Sequence, residues 1–183
     1  MPRQPNEGYS LLPTMSDQAL FLLVDDNEDD VLLVRRAFVK AKVLNPLQVV
    51  RNGEDAIAYL GGKGKFANRA EFPLPALVLL DLKMPGLDGF DVLRWIRQEA
   101  SLRTLRVVVL TASDDMRDVN VAYKMGANSF LIKPADLERF VEISQALNGY
   151  WLWLDKAPEA HRPGETPGEA ESLSALRDPS RRF

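Results

Sequence analysis

Acidic, hydroxyl and lysine side chains stand at the ends of four short apolar runs of the sequence. Asp25 and Asp26 follow the first of these runs, and Asp81 follows a later one. Thr111 and Lys133 stand at the ends of two further runs. If the runs are parallel strands of one sheet, their carboxyl ends lie along one edge, where ligands bind in open α/β sheets. The sequence therefore predicts a site that combines three carboxylates with a hydroxyl and an ammonium group.

Three carboxylates in one pocket favour a bound divalent cation. Like charges a few Å apart raise one another's pKa unless a cation neutralises them. Mg²⁺ prefers oxygen ligands and usually takes one or two carboxylates together with water and phosphate oxygens. We assign Asp26, Asp81 and the backbone carbonyl of Lys83 as direct ligands of Mg²⁺. Asp25 is expected to bind through water, and a free oxygen of Asp81 to attack phosphorus and form an acyl phosphate.

The two remaining polar groups fit the same chemistry. Lys133 is expected to place its charge against a phosphoryl oxygen, and Thr111 to donate its hydroxyl once phosphate is attached. Each residue alone also has a structural interpretation, since an acidic pair before a helix is often only an N-cap. We expect Asp25 and Asp26 to be functional, and the acidic residues at 28–30 to lie in the first helical turn. It is improbable that suitable residues stand at four strand ends by independent coincidence, and this favours the functional interpretation.

Five apolar runs alternate with amphipathic segments, a pattern typical of βαβ units around a parallel sheet. The predicted strands are Leu20–Val24, Leu47–Arg51, Ala76–Leu80, Arg106–Thr111 and Asn128–Ile132. The predicted helices are about Glu28–Ala41, Gly53–Leu60, Gly89–Ala100, Asp115–Met125 and a fifth that begins after Pro134 and extends as far as Leu154. Because βα crossovers are right-handed, we expect a flavodoxin-like, doubly wound α/β sheet with strand order 2-1-3-4-5.

Several segments fall outside this predicted core. The domain is expected over residues 19–155, after a flexible N-terminal extension at 1–18. Residues 156–183 are rich in Pro, Glu, Arg and Ser, and they are expected to be disordered because they cannot bury enough apolar surface to offset chain entropy. The segment Gly61–Pro75 is longer than a usual connection and is expected to be an exposed loop.

Composition limits the classes of partner and the compartment. With 46% hydrophobic and 27% charged residues, the 183-residue chain is predicted to hold one soluble domain. A formal net charge of -3 gives no general attraction to nucleic acid or anionic membrane, and we expect neither as a partner. Without cysteine there is no thiolate metal site or cysteine nucleophile. No apolar run approaches the length of a membrane span and no secretory signal is visible, so we expect a cytoplasmic protein.

Taken together, the motifs resemble the receiver domain of two-component response regulators. They are Asp25-Asp26, VLLDLKMPGLDGFDVL around Asp81, LTAS around Thr111, and FLIKP ending at Pro134, and the resemblance covers about residues 19–154. It implies transfer of a phosphoryl group from a phosphohistidine of a sensor histidine kinase to Asp81. Nothing after residue 154 is expected to build a DNA-binding helix-turn-helix, so the output is expected to pass through partner or dimer contacts.

The resemblance has two further implications for the site. It implies a cis peptide bond between Lys133 and Pro134, which would aim the lysine at the carboxylates. It also implies that Thr111 and Phe130 form a switch pair, in which the hydroxyl moves toward the phosphate and the ring turns inward behind it. We expect the resulting change on the face formed by the fourth helix, the fifth strand and the fifth helix.

Aromatic and apolar side chains crowd the predicted end of the fifth helix, at Tyr150, Trp151, Trp153 and Leu154. They either cap the bottom of the core or form an exposed patch of the kind that anchors interfaces. We expect homodimerisation through the fifth-helix face. The extended helix and the long segment Gly61–Pro75 resemble the small stand-alone regulators that partner bacterial phytochrome kinases.

The residue types at particular positions disfavour two other functions. A phosphohydrolase of the haloacid-dehalogenase kind also forms an aspartyl phosphate with magnesium, but it carries a second Asp two residues after the nucleophile as acid and base. Here that position is Lys83. A scaffold independent of phosphorylation would not need the intact acidic, Thr and Lys positions. We therefore expect no enzyme beyond self-catalysed phosphorylation and dephosphorylation.

Overall fold

A five-stranded parallel sheet lies between two layers of helices in the computed structural model, which describes residues 19–147 and 149. The strands are β1 Phe21–Val24, β2 Leu47–Val50, β3 Leu77–Leu80, β4 Arg106–Thr111 and β5 Ser129–Ile132. The helices are α1 Glu28–Lys40, α2 Gly53–Gly61, α3 Gly89–Gln98, α4 Met116–Lys124 and α5 Leu137–Leu147. The strand order is 2-1-3-4-5, which confirms the predicted flavodoxin-like fold.

Strand register aligns the ends of the two central strands. Val24 at the end of β1 is level with Leu80 at the end of β3. The backbone N–H of Asp81 donates to the carbonyl oxygen of Val24 at 2.9 Å, which extends the pairing by one residue. The residues that follow β1 and β3 are therefore held side by side at one edge of the sheet.

The continuous apolar character of the strands follows from burial on both faces. In β4, Val107 and Val109 belong to one core cluster with α2 and α3, whereas Val108 and Leu110 belong to the other with α1 and α5. All four side chains are buried. Each such side chain contributes about 1.5–3 kcal/mol through removal of apolar surface from water, so the sheet is a rigid base for the groups at its edge.

Polar caps and a glycine set the helix ends. The side chain of Asn27 accepts hydrogen bonds from the N–H groups of Asp29 at 2.9 Å and Asp30 at 3.3 Å, and α1 begins after it. Asp115 caps α4, which ends just before Gly126 at φ 91°. These bounds differ from the predicted ones by a residue or two, and α5 begins at Leu137.

Most residues of the segment 61–75 are exposed, as predicted, but the segment is anchored to the domain by its aromatic side chains. It contains a short 3₁₀ turn at Gly64–Phe66, and the rings of Phe66 and Phe72 pack on Tyr59 of α2. The Tyr59 hydroxyl donates to the carbonyl oxygen of Pro73 at 3.0 Å, while Arg69 donates to that of Tyr59 at 2.7 Å. Burial raises the pKa of Tyr59, and Arg69 partly offsets the rise. Aromatic packing thus folds the segment back onto the end of α2.

Some expectations fall outside the described residues. They are the flexible extension at 1–18, the disordered tail at 156–183, the continuation of α5 toward Leu154, and the patch at Tyr150, Trp151, Trp153 and Leu154. Within residues 19–147 and 149, no helix is long and apolar enough to span a bilayer.

Candidate functional site

Asp25, Asp26 and Asp81 meet at the carboxyl edge of β1 and β3. One carboxylate oxygen from each lies within 4.8 Å of the others. Asp25 is fully buried and Asp81 is almost so, whereas Asp26 is exposed. The strand register produces this convergence, because Asp25 and Asp81 each directly follow a buried strand. The predicted meeting of the three carboxylates is observed.

Lys133 lies at the centre of the acidic cluster. Its Nζ is 2.9 Å from Oδ2 of Asp25, 2.9 Å from Oδ2 of Asp81 and 2.8 Å from Oδ2 of Asp30. Only 5% of the lysine side chain is exposed. β5 positions it, since the backbone N–H of Lys133 donates to the carbonyl oxygen of Thr111 at 2.8 Å and so continues the pairing with β4.

The pKa shifts in the cluster have opposing causes. Burial raises the pKa of Asp25, and the Lys133 ammonium partly offsets this rise. Burial alone would lower the pKa of Lys133, but hydrogen bonds with Asp30 and Asp25 and the negative charge of Asp25 outweigh it, so that the pKa lies above its usual value. The ammonium therefore remains charged at neutral pH.

The donor set fits a hard divalent cation. Asp25, Asp26 and Asp81 supply only oxygen ligands, which Mg²⁺ prefers. The buried Oδ2 of Asp25 is paired with the Lys133 ammonium at 2.9 Å, and no other group in the described part of the chain forms a hydrogen bond to it. The site therefore holds one ammonium, that of Lys133, and four carboxylates, those of Asp25, Asp26, Asp30 and Asp81. A cation beside Asp25, Asp26 and Asp81 would reduce this excess of negative charge.

Two close approaches of the backbone hold Asp81 in place. A Cβ on Gly89, the first residue of α3, would lie 2.1 Å from the carbonyl oxygen of Asp81, so only glycine allows this approach. The backbone N–H of Lys83 donates to Oδ1 of Asp81 at 3.3 Å, while Oδ2 faces Lys133. Both carboxylate oxygens thus have a fixed environment. The backbone carbonyl of Lys83 stays a predicted metal ligand.

The hydroxyl and the aromatic ring of the predicted switch pair lie on neighbouring strands. Thr111 is fully buried at the end of β4, and its Oγ1 accepts a hydrogen bond from the N–H of Ser113 at 3.4 Å. Phe130 is half-buried against the core cluster on the α2, α3 and α4 side of the sheet. The concerted movement of Thr111 and Phe130 stays a prediction.

The peptide bond before Pro134 is not cis as expected, because all peptide bonds in the described residues are trans. The trans form of an X–Pro bond is favoured by about 0.5–1 kcal/mol. The long Lys133 side chain reaches Asp25, Asp30 and Asp81 from this trans backbone.

Asp30 belongs to the cluster, although the sequence assigned it only to the first helical turn. Asn27, rather than Asp25 or Asp26, caps α1, so the capping interpretation of that pair is wrong. With the helix beginning after Asn27, the side chain of Asp30 in the first turn accepts a hydrogen bond from Lys133. The only available sequence signal was that Asp30 directly precedes Val31, which is buried.

Comparison with known proteins gives a consistent set of matches. A family model described as the response regulator receiver domain matches residues 21–145. The response regulator Rcp1 of Synechocystis sp. is 34% identical over 150 residues, which cover 80% of this chain and 100% of Rcp1. A crystal structure of its Mn²⁺-bound form superposes with a TM-score of 0.68, at 34% identity over 76% of this chain and 99% of that one. The phosphorylated cyanobacterial phytochrome response regulator RcpA gives a TM-score of 0.71, at 33% identity over 77% of this chain and 99% of that one.

Proposed function

The chain belongs to the response regulator receiver domain family, and we propose that it accepts a phosphoryl group from a sensor histidine kinase onto Asp81 in a Mg²⁺-dependent reaction. The observation that carries this proposal is the arrangement around Asp81. Its carboxylate is nearly buried, lies within 4.8 Å of Asp25 and Asp26, and faces Lys133 at 2.9 Å.

In the proposed reaction an oxygen of Asp81 attacks the phosphorus of a phosphohistidine. A phosphorus–oxygen bond forms, the phosphorus–nitrogen bond breaks, and the imidazole keeps the electron pair of that bond. Lys133 is held close enough to Asp81 to contact a phosphoryl oxygen on it. Asp25, Asp26, Asp81 and the carbonyl of Lys83 would hold Mg²⁺, which when bound neutralises charge on the carboxylates and the phosphoryl oxygens.

Output is proposed to pass through Thr111 and Phe130. A phosphoryl group brings a charge of roughly -1.5 to -2 and new acceptor oxygens, which the buried Thr111 hydroxyl can approach. The half-buried ring of Phe130 lies two residues before the strand position that pairs with Thr111. Their movement would change the face formed by α4, β5 and α5, where partner or dimer contacts read the phosphorylated state.

The kinase partner is proposed to be of the bacterial phytochrome type. RcpA is described as a cyanobacterial phytochrome response regulator, and the chain spans 99% of its solved structure. A second solved structure with 36% identity is a bacteriophytochrome response regulator. We place the protein in the cytoplasm with such a kinase and propose that it forms a homodimer through the fifth-helix face.

Phosphorylation with phosphoramidate tests the proposal without a cognate kinase, because this small donor also carries a phosphorus–nitrogen bond. Mass spectrometry should find one phosphoryl group on wild-type protein with Mg²⁺, and none on Asp81→Asn or after chelation of the metal. Asp114→Asn is the control, since Asp114 is an exposed carboxylate between β4 and α4. Wild-type stoichiometry on Asp81→Asn would contradict the assignment, and multiple turnover of a phosphate monoester would instead support a phosphohydrolase.

A further inference from the structure

Apolar burial attaches α4 to the domain only weakly. Ala122 is its one buried residue, whereas α1, α2, α3 and α5 each bury four in the described part of the chain. Met116, Val121 and Tyr123 of α4 are 65%, 42% and 51% exposed. Polar contacts at the ends of α4 must therefore contribute much of what holds this helix on the sheet.

One such contact links the first turn of α4 to Thr111. The hydroxyl of Ser113, a buried residue, donates to Oδ2 of Asp118 at 2.5 Å. The backbone N–H of the same Ser113 donates to Oγ1 of Thr111 at 3.4 Å. We call the hydrogen bond between the side chains of Ser113 and Asp118 the clasp. A hydroxyl bound to a carboxylate at this distance is charge-assisted and roughly twice as strong as a neutral hydrogen bond.

We propose that Asp118 is a positioning residue that, through Ser113, holds the Thr111 hydroxyl in its unphosphorylated position. The proposal rests on the proposed function, in which Thr111 moves toward a phosphoryl group on Asp81. That movement takes the hydroxyl away from the N–H of Ser113 unless Ser113 follows it. Ser113 is held by Asp118, so it follows only if the clasp breaks or the first turn of α4 moves with it.

The clasp consequently links the chemistry at Asp81 to the position of α4. It stabilises the arrangement without a phosphoryl group and leaves the phosphorylated one less favoured. Because α4 is weakly packed, the free energy of this one hydrogen bond is large relative to the other contacts of the helix. Removing the clasp should make the phosphorylated arrangement easier to reach without touching Asp81 or the metal ligands.

The test uses beryllium fluoride with Mg²⁺ as a mimic of the phosphoryl group, and isothermal titration calorimetry as the measurement of affinity. Asp118→Ala and Ser113→Ala should each bind the mimic about ten to a hundred times more tightly than wild type, the range for loss of one charge-assisted hydrogen bond. The double variant should match the single variants, because both changes break the same bond. Ser113→Thr, which keeps the hydroxyl, and Asp114→Ala, an exposed neighbour, should retain wild-type affinity.

Unchanged or weaker binding by the two alanine variants, or an additive effect in the double variant, would overturn the role of the clasp. A purely structural role would lower the melting temperature without changing affinity for the mimic. If wild type binds beryllium fluoride and Asp81→Asn does not, the proposed function stands whichever result the clasp variants give. If wild type shows no Asp81-dependent binding, both the proposed function and the role of Asp118 fail.

Discussion

At the scale of residues, the buried charges around Lys133 are matched by partners rather than by solvent. Its ammonium lies within 2.9 Å of oxygens from Asp25, Asp30 and Asp81. An isolated charge at such depth would be strongly destabilising, whereas a paired one is tolerated. The partners also fix where the ammonium points, and the proposed phosphoryl transfer to Asp81 would use this orientation.

The contribution of Asp30 can be separated from that of the metal ligands. Asp30→Ala removes one partner of the Lys133 ammonium but none of the three clustered carboxylates. We expect phosphorylation by phosphoramidate to slow by about ten- to a hundredfold, as for loss of one charged hydrogen bond, with Mg²⁺ affinity nearly unchanged. Initial rates at saturating Mg²⁺ and a metal titration measure the two effects.

Asp29→Ala is the matched control for Asp30→Ala. Asp29 is the preceding residue in the same helical turn, and its side chain is exposed. It should keep the wild-type rate, whereas an equal loss in both variants would mean that the effect comes from the negative charge near the start of α1. A rate unchanged in Asp30→Ala would show that Asp25 and Asp81 position Lys133 without it.

The residue types at strand ends were readable from the sequence, whereas side-chain directions after those strands were not. The meeting of Asp25, Asp26 and Asp81 follows from strand register, which the apolar runs specify. Asp30 joins the cluster because Asn27 sets where α1 begins. Likewise, the trans bond before Pro134 depends on how the backbone leaves β5, which local sequence does not determine.

At the scale of elements, long-range side-chain contacts decided what the sequence could not. The five strands and five helices were predictable because each has its own periodicity and end signals. The segment 61–75 has polar composition, but Tyr59, Phe66 and Phe72 fold it against α2 through ring contacts. Such contacts between a helix and a later segment have no local signature, so the exposure of the segment was predictable but its anchoring through Phe66 and Phe72 was not.

Arg97 gives a prediction at this scale, because it joins the end of α3 to the turn between α4 and β5. Its guanidinium donates to the carbonyl oxygens of Gly126 at 2.7 Å and Leu105 at 2.9 Å, and burial lowers its pKa. Arg97→Ala leaves these acceptors without the charged donor. We expect the free energy of unfolding to fall by about 2–3 kcal/mol in urea denaturation at neutral pH.

Arg94→Ala is the control for Arg97→Ala, because it truncates the same residue type one turn earlier in α3. Arg94 is 55% exposed and pairs only with Asp91 three residues before it, among the contacts described for it. Exposed pairs of this kind contribute about 0.2–1 kcal/mol, so the change should be small. Equal losses in the two variants would indicate that helix propensity, rather than the contacts with Gly126 and Leu105, is responsible.

At the scale of the whole molecule, the two helices beside β5 differ in how firmly they are held. α5 buries Phe140, Val141, Ser144 and Leu147, and its Glu138 forms an ion pair with Lys40 of α1. α4 buries Ala122 alone among its residues. A structural change that begins at Thr111 should therefore move α4 more than α5. Within the proposed α4, β5 and α5 face, we therefore expect the contacts that depend on phosphorylation on the α4 side.

Self-association is the prediction that belongs to this scale. The sequence places Tyr150, Trp151, Trp153 and Leu154 beyond the described part of α5, and aromatic residues of this kind commonly anchor interfaces. Sedimentation velocity should find wild type as a dimer, and the double variant Trp151→Ala with Trp153→Ala as a monomer. Trp95→Phe, which changes a half-buried tryptophan of α3, should leave the dimer intact. A folded double variant that sediments like wild type would place the interface elsewhere.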